Sequence, residues 1–240
     1  MLENKIVFVS GGTGYLGTAI CETCADYGAK IYFSYYKNEK KAKTLTKKIK
    51  GLEGIKINLK DVNDIKEKIE EFYKKIKVVD ILVNNAGVSQ VMPIAMMEKD
   101  DLDFMLDLNV KGTFFLTKAI ARRMIKHKKG AIINIGSIAG HRMLDVPVHY
   151  AMTKAAISGL TYSLTSEFKK YGIRVNSVVP GLLEDGISRR VPEDLKEDYL
   201  KHCAAGRPGT AREVAEVVCF LASDRASYVN GQNIFVDGGI

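Results

Sequence analysis

A tyrosine and a lysine stand four residues apart in the stretch HYAMTKAA, as Tyr150 and Lys154. The residues between them are small or unbranched, so the segment reads as helix, where that spacing puts both side chains on one face around a common ligand. A free tyrosine has a pKa of about 10 and exchanges its proton reluctantly near neutrality. A positive charge one turn away would stabilise the tyrosinate and lower that pKa, making the phenol a usable general acid or base. Ser137 ends an apolar run, where a serine commonly caps a turn or helix. His149 invites an acid/base role too, but as the tyrosine's neighbour in sequence it points elsewhere on the helix, to a pocket wall or the surface. Taken alone, the Tyr/Lys pair favours an ordinary surface pair; the rest of the chain must decide.

A second cluster lies near the start. The apolar run at 6–9 leads into SGGTGYLGTAI, in which Gly11, Gly14 and Gly17 open a helix. Glycines there permit a tight turn and close approach to a pyrophosphate, while the helix N-terminus offers free amides. Between a strand and a helix this pattern points to a dinucleotide, held by Gly11, Thr13, Gly14, Tyr15 and Leu16. At the end of the second strand an acid would accept from a ribose 2′-hydroxyl, but the chain has Ser34, Tyr35 and Tyr36, then Lys37, with Lys40 and Lys41 behind. That exchange of acid for base implies NADP(H) over NAD(H), with Tyr35 and Lys37 at the adenosine ribose. Asp61 and Val62 follow the third strand, where the carboxylate would accept from the adenine amino group.

These residues need elements to position them. Short β-branched or apolar runs alternate with helical periodicity throughout, which predicts strands near 6–9, 30–35, 55–59, 81–83, 131–135, 174–179 and 233–236. Helices are predicted near 15–27, 39–50, 64–75, 102–126, 150–171 and 213–222. Several strands are continuously apolar, as strands covered on both faces are. The pattern is an α/β, Rossmann-like, doubly wound parallel sheet of about seven strands with helices on both faces, in a single domain spanning 1–240. The polar, strandless segment 182–208 follows the sixth strand on the ligand side and reads as a substrate lid or a plain surface excursion.

Composition narrows the class. The 240 residues are 46% hydrophobic and 27% charged, with no low-complexity tract, which fits a globular enzyme with a sizeable core. The net charge of +8 is spread over lysines on many helices with no nucleic-acid-reading motif, so no nucleic-acid partner is expected. Cys21, Cys24, Cys203 and Cys219 are too few and scattered for a disulfide scaffold, and the CxxC of the first two has no partner pair at metal spacing. No run approaches about 18 apolar residues. A reduced, cytoplasmic protein without metal or membrane association is expected.

In their order, the motifs resemble the short-chain dehydrogenase/reductase family over the whole chain. Beyond the glycine loop come NNAG at 84–87, Asn109 in the next helix, INIGSIAG ending at Gly140, YAMTK at 150–154, PG at 180–181 and GQNIFVDGG near the end. The run from Gly206 to Gln232 looks most like the 3-oxoacyl-acyl carrier protein reductase branch. The resemblance implies an NADPH-dependent ketoreductase acting on a 3-oxo group of an acyl chain on a phosphopantetheine carrier. Tyr150 would be the proton donor in reduction, with Lys154 tuning it and bonding the nicotinamide ribose, Ser137 holding the carbonyl and Asn109 binding a relay water. Asn85, Ala86, Gly87, Pro180, Gly181 and Leu183 would complete the cofactor contacts. It also implies a homotetramer joined through the two long helices and the VDGG region. An acidic acyl carrier protein could dock on Lys128, Lys129, Lys169 and Lys170 if these border the active-site side. The alternatives are a dehydrogenase of a small alcohol, sugar or other carbonyl compound, and a non-catalytic NADP(H)-binding regulator. Two departures stand out: Tyr15 replaces the penultimate loop glycine, and Asp185 stands near the place of a threonine that contacts the nicotinamide, with Ser188 as a substitute.

Overall fold

Seven parallel strands form one sheet in the computed structural model, which describes residues 1–240. They are β1 (Ile6–Val9), β2 (Lys30–Tyr35), β3 (Glu53–Lys56), β4 (Ile81–Asn84), β5 (Gly130–Ile135), β6 (Ile173–Pro180) and β7 (Asn233–Val236), in the order β3-β2-β1-β4-β5-β6-β7. Parallel pairing aligns every carboxyl end along one edge: Val9 lies beside Phe33 and Val83, Asn84 beside Asn134, and Pro180 beside Val236. The strand order reverses between β1 and β4, so their outgoing loops part and leave a crevice.

The helices are α1 (Tyr15–Asp26), α2 (Glu39–Lys48), α3 (Val62–Phe72), α4 (Lys99–Leu106), α5 (Thr113–His127), α6 (Val148–Phe168), α7 (Glu193–His202) and α8 (Ala211–Ala222). Alternate residues of the strands serve two separate cores. Val7, Val9, Ile31 and Phe33 pack with Ile20 and Cys24 of α1 and Val218 of α8, while Phe8, Tyr32 and Leu82 pack with Ile69 of α3, Leu116 of α5 and Leu164 of α6. This is the two-faced cover that the apolar strands require. A buried ladder crosses the second face: Asn84 donates to Asn134 and Thr117, and Asn134 to Thr161.

Three elements differ from the sequence expectation. β3 begins and ends earlier than predicted, because Ile57 and Leu59 leave the edge strand to join the core beneath α3. The helix expected over 102–126 is interrupted by a π-helical turn, Asp107–Gly112, that separates α4 from α5. Gly112 is needed there, since a Cβ would lie 2.6 Å from the Leu59 carbonyl oxygen. α7 lies inside the 182–208 segment; it has no buried residue, and acids in its first turn with Lys201 and His202 in its last suit its dipole.

The lysines read as a docking face are also corrected. Lys128 and Lys129 follow α5 and precede β5, and Lys169 and Lys170 follow α6 and precede β6. Helices return antiparallel to the strands they connect, so all four lie at the amino-terminal edge of the sheet, opposite Tyr150. There Lys129 and Lys169 share an open depression with Lys5, Arg174, Asp80 and Asp224.

Candidate active site

β5 ends at Ile135, and Ser137 caps the short turn Ile138–Gly140, its Oγ accepting from the Ala139 amide at 3.2 Å. That turn presses on α6: a Cβ on Gly140 would lie 2.6 Å from the Ala155 nitrogen and 2.7 Å from the Lys154 carbonyl carbon. Tyr150 and Lys154 are 8% and 6% exposed, one turn apart in α6. The surface-pair reading is therefore excluded. Lys154 Nζ donates to the Ile135 carbonyl at 2.9 Å, tying α6 to the end of β5, and lies 5.8 Å from the centre of the Tyr150 ring.

Burial sets the electrostatics. It pushes the Tyr150 phenol above its ordinary pKa, with a hydrogen bond to Ser137 pulling the other way. It pulls the Lys154 ammonium down to about 8. Ser137 supplies the contact that lowers the phenol's pKa, while the ammonium is hydrogen-bonded to a backbone carbonyl.

Asn109 lies in the π-helical turn and closes this group from the other side. Its amide donates to Val88 O at 2.9 Å and Thr153 Oγ1 at 3.1 Å, and its Oδ1 accepts from Val88 N at 3.0 Å. These bonds tie the loop after β4 to α6, so the side chain is structurally engaged. Its backbone carbonyl accepts from Thr113 Oγ1 at 2.9 Å. His149 is buried rather than on the surface.

The glycine loop is pinned to the same edge. Gly11 has φ +66°, and a Cβ there would lie 2.9 Å from Ala86 Cα. Its amide donates to Ser34 Oγ, and its carbonyl accepts from Asn85 Nδ2. Ser10 Oγ accepts from the amides of Asn85 and Ala86, both at 2.9 Å. A Cβ on Gly17 would lie 2.2 Å from Gly11 O, so the first turn of α1 reaches the loop only with glycine. Gly14 is the N-cap of α1 and Tyr15 and Leu16 begin it, with no side chain capping it, while Thr13 lies half-buried in the loop. Uncapped amides beside a left-handed glycine fit a pyrophosphate. Tyr35 is half-buried and Lys37 exposed at the end of β2. Asp61 caps α3 through Oδ1, which accepts from Asn63 and Asp64, leaving Oδ2 for the expected adenine contact; Val62 is exposed beside it.

The 182–208 segment closes over this edge. Leu183 bridges to Gly209, and the Tyr199 hydroxyl donates to Asp237 O and accepts from Leu182 N. A Cβ on Gly181 would lie 2.3 Å from that hydroxyl, which explains the glycine after Pro180. Arg190 donates to Ser89 O at 2.6 Å, joining the segment to the loop after β4. Asp185 bonds the Gly186 amide and Arg189, and Ser188 Oγ accepts from Leu183 N, so both expected substitutes for the threonine are bonded within the segment. Sequence reasoning missed Ser10, Tyr199 and Arg190; only the aromatic, set in a polar stretch, gave any signal.

A sequence profile described as enoyl-(acyl carrier protein) reductase matches residues 14–240. The 3-oxoacyl-acyl-carrier-protein reductase FabG of Thermotoga maritima is 35% identical, over 100% of this chain and 98% of its own length. The enzyme of the same name from Aquifex aeolicus is 36% identical with the same coverage. The chain belongs to the short-chain dehydrogenase/reductase family. Its fold also matches a gluconate 5-dehydrogenase from Burkholderia cenocepacia, solved with NADP and tartrate, at a TM-score of 0.92 and 30% identity over 99% of this chain and 95% of that one. As a member of this family the chain is an oxidoreductase. The departure at Tyr15 has a structural reason: a Cβ on Gly186, at φ +82°, would lie 3.2 Å from Tyr15 Cβ, so the tyrosine is a seat for the segment above the loop.

Proposed function

We propose that this short-chain dehydrogenase/reductase uses NADPH to reduce the 3-oxo group of an acyl chain carried on a phosphopantetheine arm. The observation that carries this reading is the convergence of Ser137, Tyr150 and Lys154 at one strand edge with the glycine loop. The curated relatives named above support the acyl substrate, and the neighbour solved with NADP supports the cofactor. When bound, the nicotinamide supplies the hydride. Tyr150 gives the carbonyl oxygen its proton, Ser137 holds that oxygen against the phenol, and Lys154 bonds the nicotinamide ribose and returns a proton to Tyr150. Asn109, through its backbone carbonyl, holds the water that resupplies Lys154. Gly11, Thr13, Gly14, Tyr15 and Leu16 hold the pyrophosphate; Tyr35 and Lys37 the ribose phosphate; Asp61 and Val62 the adenine. Asn85, Ala86, Gly87, Pro180, Gly181 and Leu183 flank the nicotinamide half, and 182–208 is the lid of the single domain.

Within one chain, Lys128, Lys129, Lys169 and Lys170 lie at the wrong edge to serve their own site. An acidic carrier protein therefore docks on the lid side, where Arg142 and Arg189 are exposed, or on lysines supplied by a second copy. The fold match to a gluconate 5-dehydrogenase favours a second reading, a small sugar-acid or alcohol dehydrogenase.

The test is NADPH oxidation with a 3-oxoacyl thioester on a carrier protein and on a simple thiol, with an enoyl thioester, 5-ketogluconate and NADH as parallel arms. Turnover of the 3-oxoacyl thioesters with NADPH is expected. Turnover of 5-ketogluconate alone would establish the second reading. Tyr150→Phe should lower kcat at least about a hundredfold, the scale of a lost general acid, while NADPH still binds. Unchanged kcat would remove Tyr150 from the chemistry.

A further inference from the structure

His149 is 1% exposed, at the second position of α6. The helix begins after Pro147, which offers no side-chain cap to its first-turn amides. One of those amides belongs to Tyr150, and it donates to Nδ1 of His149 at 3.1 Å. A nitrogen that accepts carries no proton, so the neutral ring holds its proton on Nε2. Nε2 is buried without a hydrogen-bond partner. The charged group whose field reaches the ring is Asp101 of α4, its carboxylate occupied in accepting from Glu98 N at 3.1 Å and Gln90 Nε2 at 3.4 Å. The phenol of Tyr150 is the titratable group next to it on α6.

We propose that His149 is a positioning residue: its Nδ1 replaces the missing cap of α6 and seats Tyr150. This rests on Tyr150 being the proton donor. Burial pulls the His149 pKa below its ordinary value, with Asp101 opposing more weakly, so Nδ1 stays free to accept through neutral pH. In acid, a protonated Nδ1 would set one donor against another and release the Tyr150 amide inside a region closed to water.

Two substitutions separate this from simple packing. In His149→Asn the Oδ1 stands where Nδ1 stood, one bond beyond Cγ, and accepts the same amide without titrating. His149→Leu keeps apolar bulk and offers no acceptor. The leucine variant should lose at least about tenfold in kcat with little change in KM for NADPH, as expected of a displaced catalytic group. The asparagine variant should recover most of that loss and lack the acid fall in kcat expected of wild type below the usual histidine range. Equal kcat in wild type and leucine variant, equal loss in both variants, or an acid limb that persists in the asparagine variant would overturn the proposal. If the leucine variant does not fold, the asparagine pH profile still decides. Ring ¹⁵N resonances of His149 read the tautomer without turnover: Nε2–H is expected, and Nδ1–H overturns the proposal even if the substrate reading stands. Wild type inactive toward every carbonyl compound, with the Nε2–H tautomer present, would instead sink the reading of Tyr150 as proton donor.

Discussion

Burying the Lys154 ammonium is a cost that function imposes on stability. Its folded pKa of about 8 lies below the ordinary lysine value of about 10.4. Between those values the unfolded chain binds more protons, so stability rises with pH across the window and the penalty is complete below about 8. At pH 7 this amounts to roughly 3 kcal/mol. Lys154→Met should therefore unfold at a higher temperature than wild type at pH 7, and the gap should close toward pH 10. A gap independent of pH in thermal melts would show that the lysine is not buried as a charge. The spacing of Tyr150 and Lys154 was legible because a helix dictates which side chains share a face. That the ammonium faces a carbonyl and Ser137 faces the phenol was not, because it depends on where β5 ends against α6.

At the scale of elements, the glycine loop and the 182–208 segment act as one unit through Tyr15 and Gly186. Tyr15→Gly should loosen the segment, so that limited proteolysis within 184–200 becomes faster while Tyr199 still anchors its far end. An unchanged cleavage rate would mean that Tyr15 does not hold it. α8 carries a reciprocal cap, Thr210 Oγ1 accepting from the Glu213 amide and the Glu213 carboxylate from the Thr210 amide. Arg207 and those Thr210 bonds pull the Glu213 pKa to about 2, so this stabilisation is present above the ordinary carboxylate range and lost as pH falls toward 2. Thr210→Ala should cost about 1 kcal/mol, measured by denaturant unfolding at pH 7. α8 was predicted from its period, and its capping pair could have been read from the sequence. α7 was missed because it has no buried stripe; charges alone, without periodicity, do not distinguish helix from loop.

For the whole molecule, the sheet places all four cysteines in the interior. Burial raises the Cys21 thiol far above its ordinary pKa, and the contact with Cys24, followed by burial, does the same for Cys219, the two sulfurs meeting 3.4 Å apart between α1 and α8. A thiol reagent should therefore leave the native protein untouched and titrate four thiols on unfolding; rapid reaction of any in the native state would contradict the packing. Exposed Phe114 of α5, Met152 and Tyr162 of α6 and Phe235 of β7 lie on the elements expected to join subunits. Light scattering should give four times the chain mass. By itself the sequence determined the alternation of strands and helices, the parallel sheet and the order of chemical residues along it, since these follow from local periodicity and short motifs. Only the tertiary structure decided which edge each residue occupies. The direction in which a helix returns across a sheet sent Lys128 and Lys169 to the far edge from Tyr150, and close contacts made long-range partners of Ser10 with Asn85, Arg190 with Ser89, and Tyr15 with Gly186.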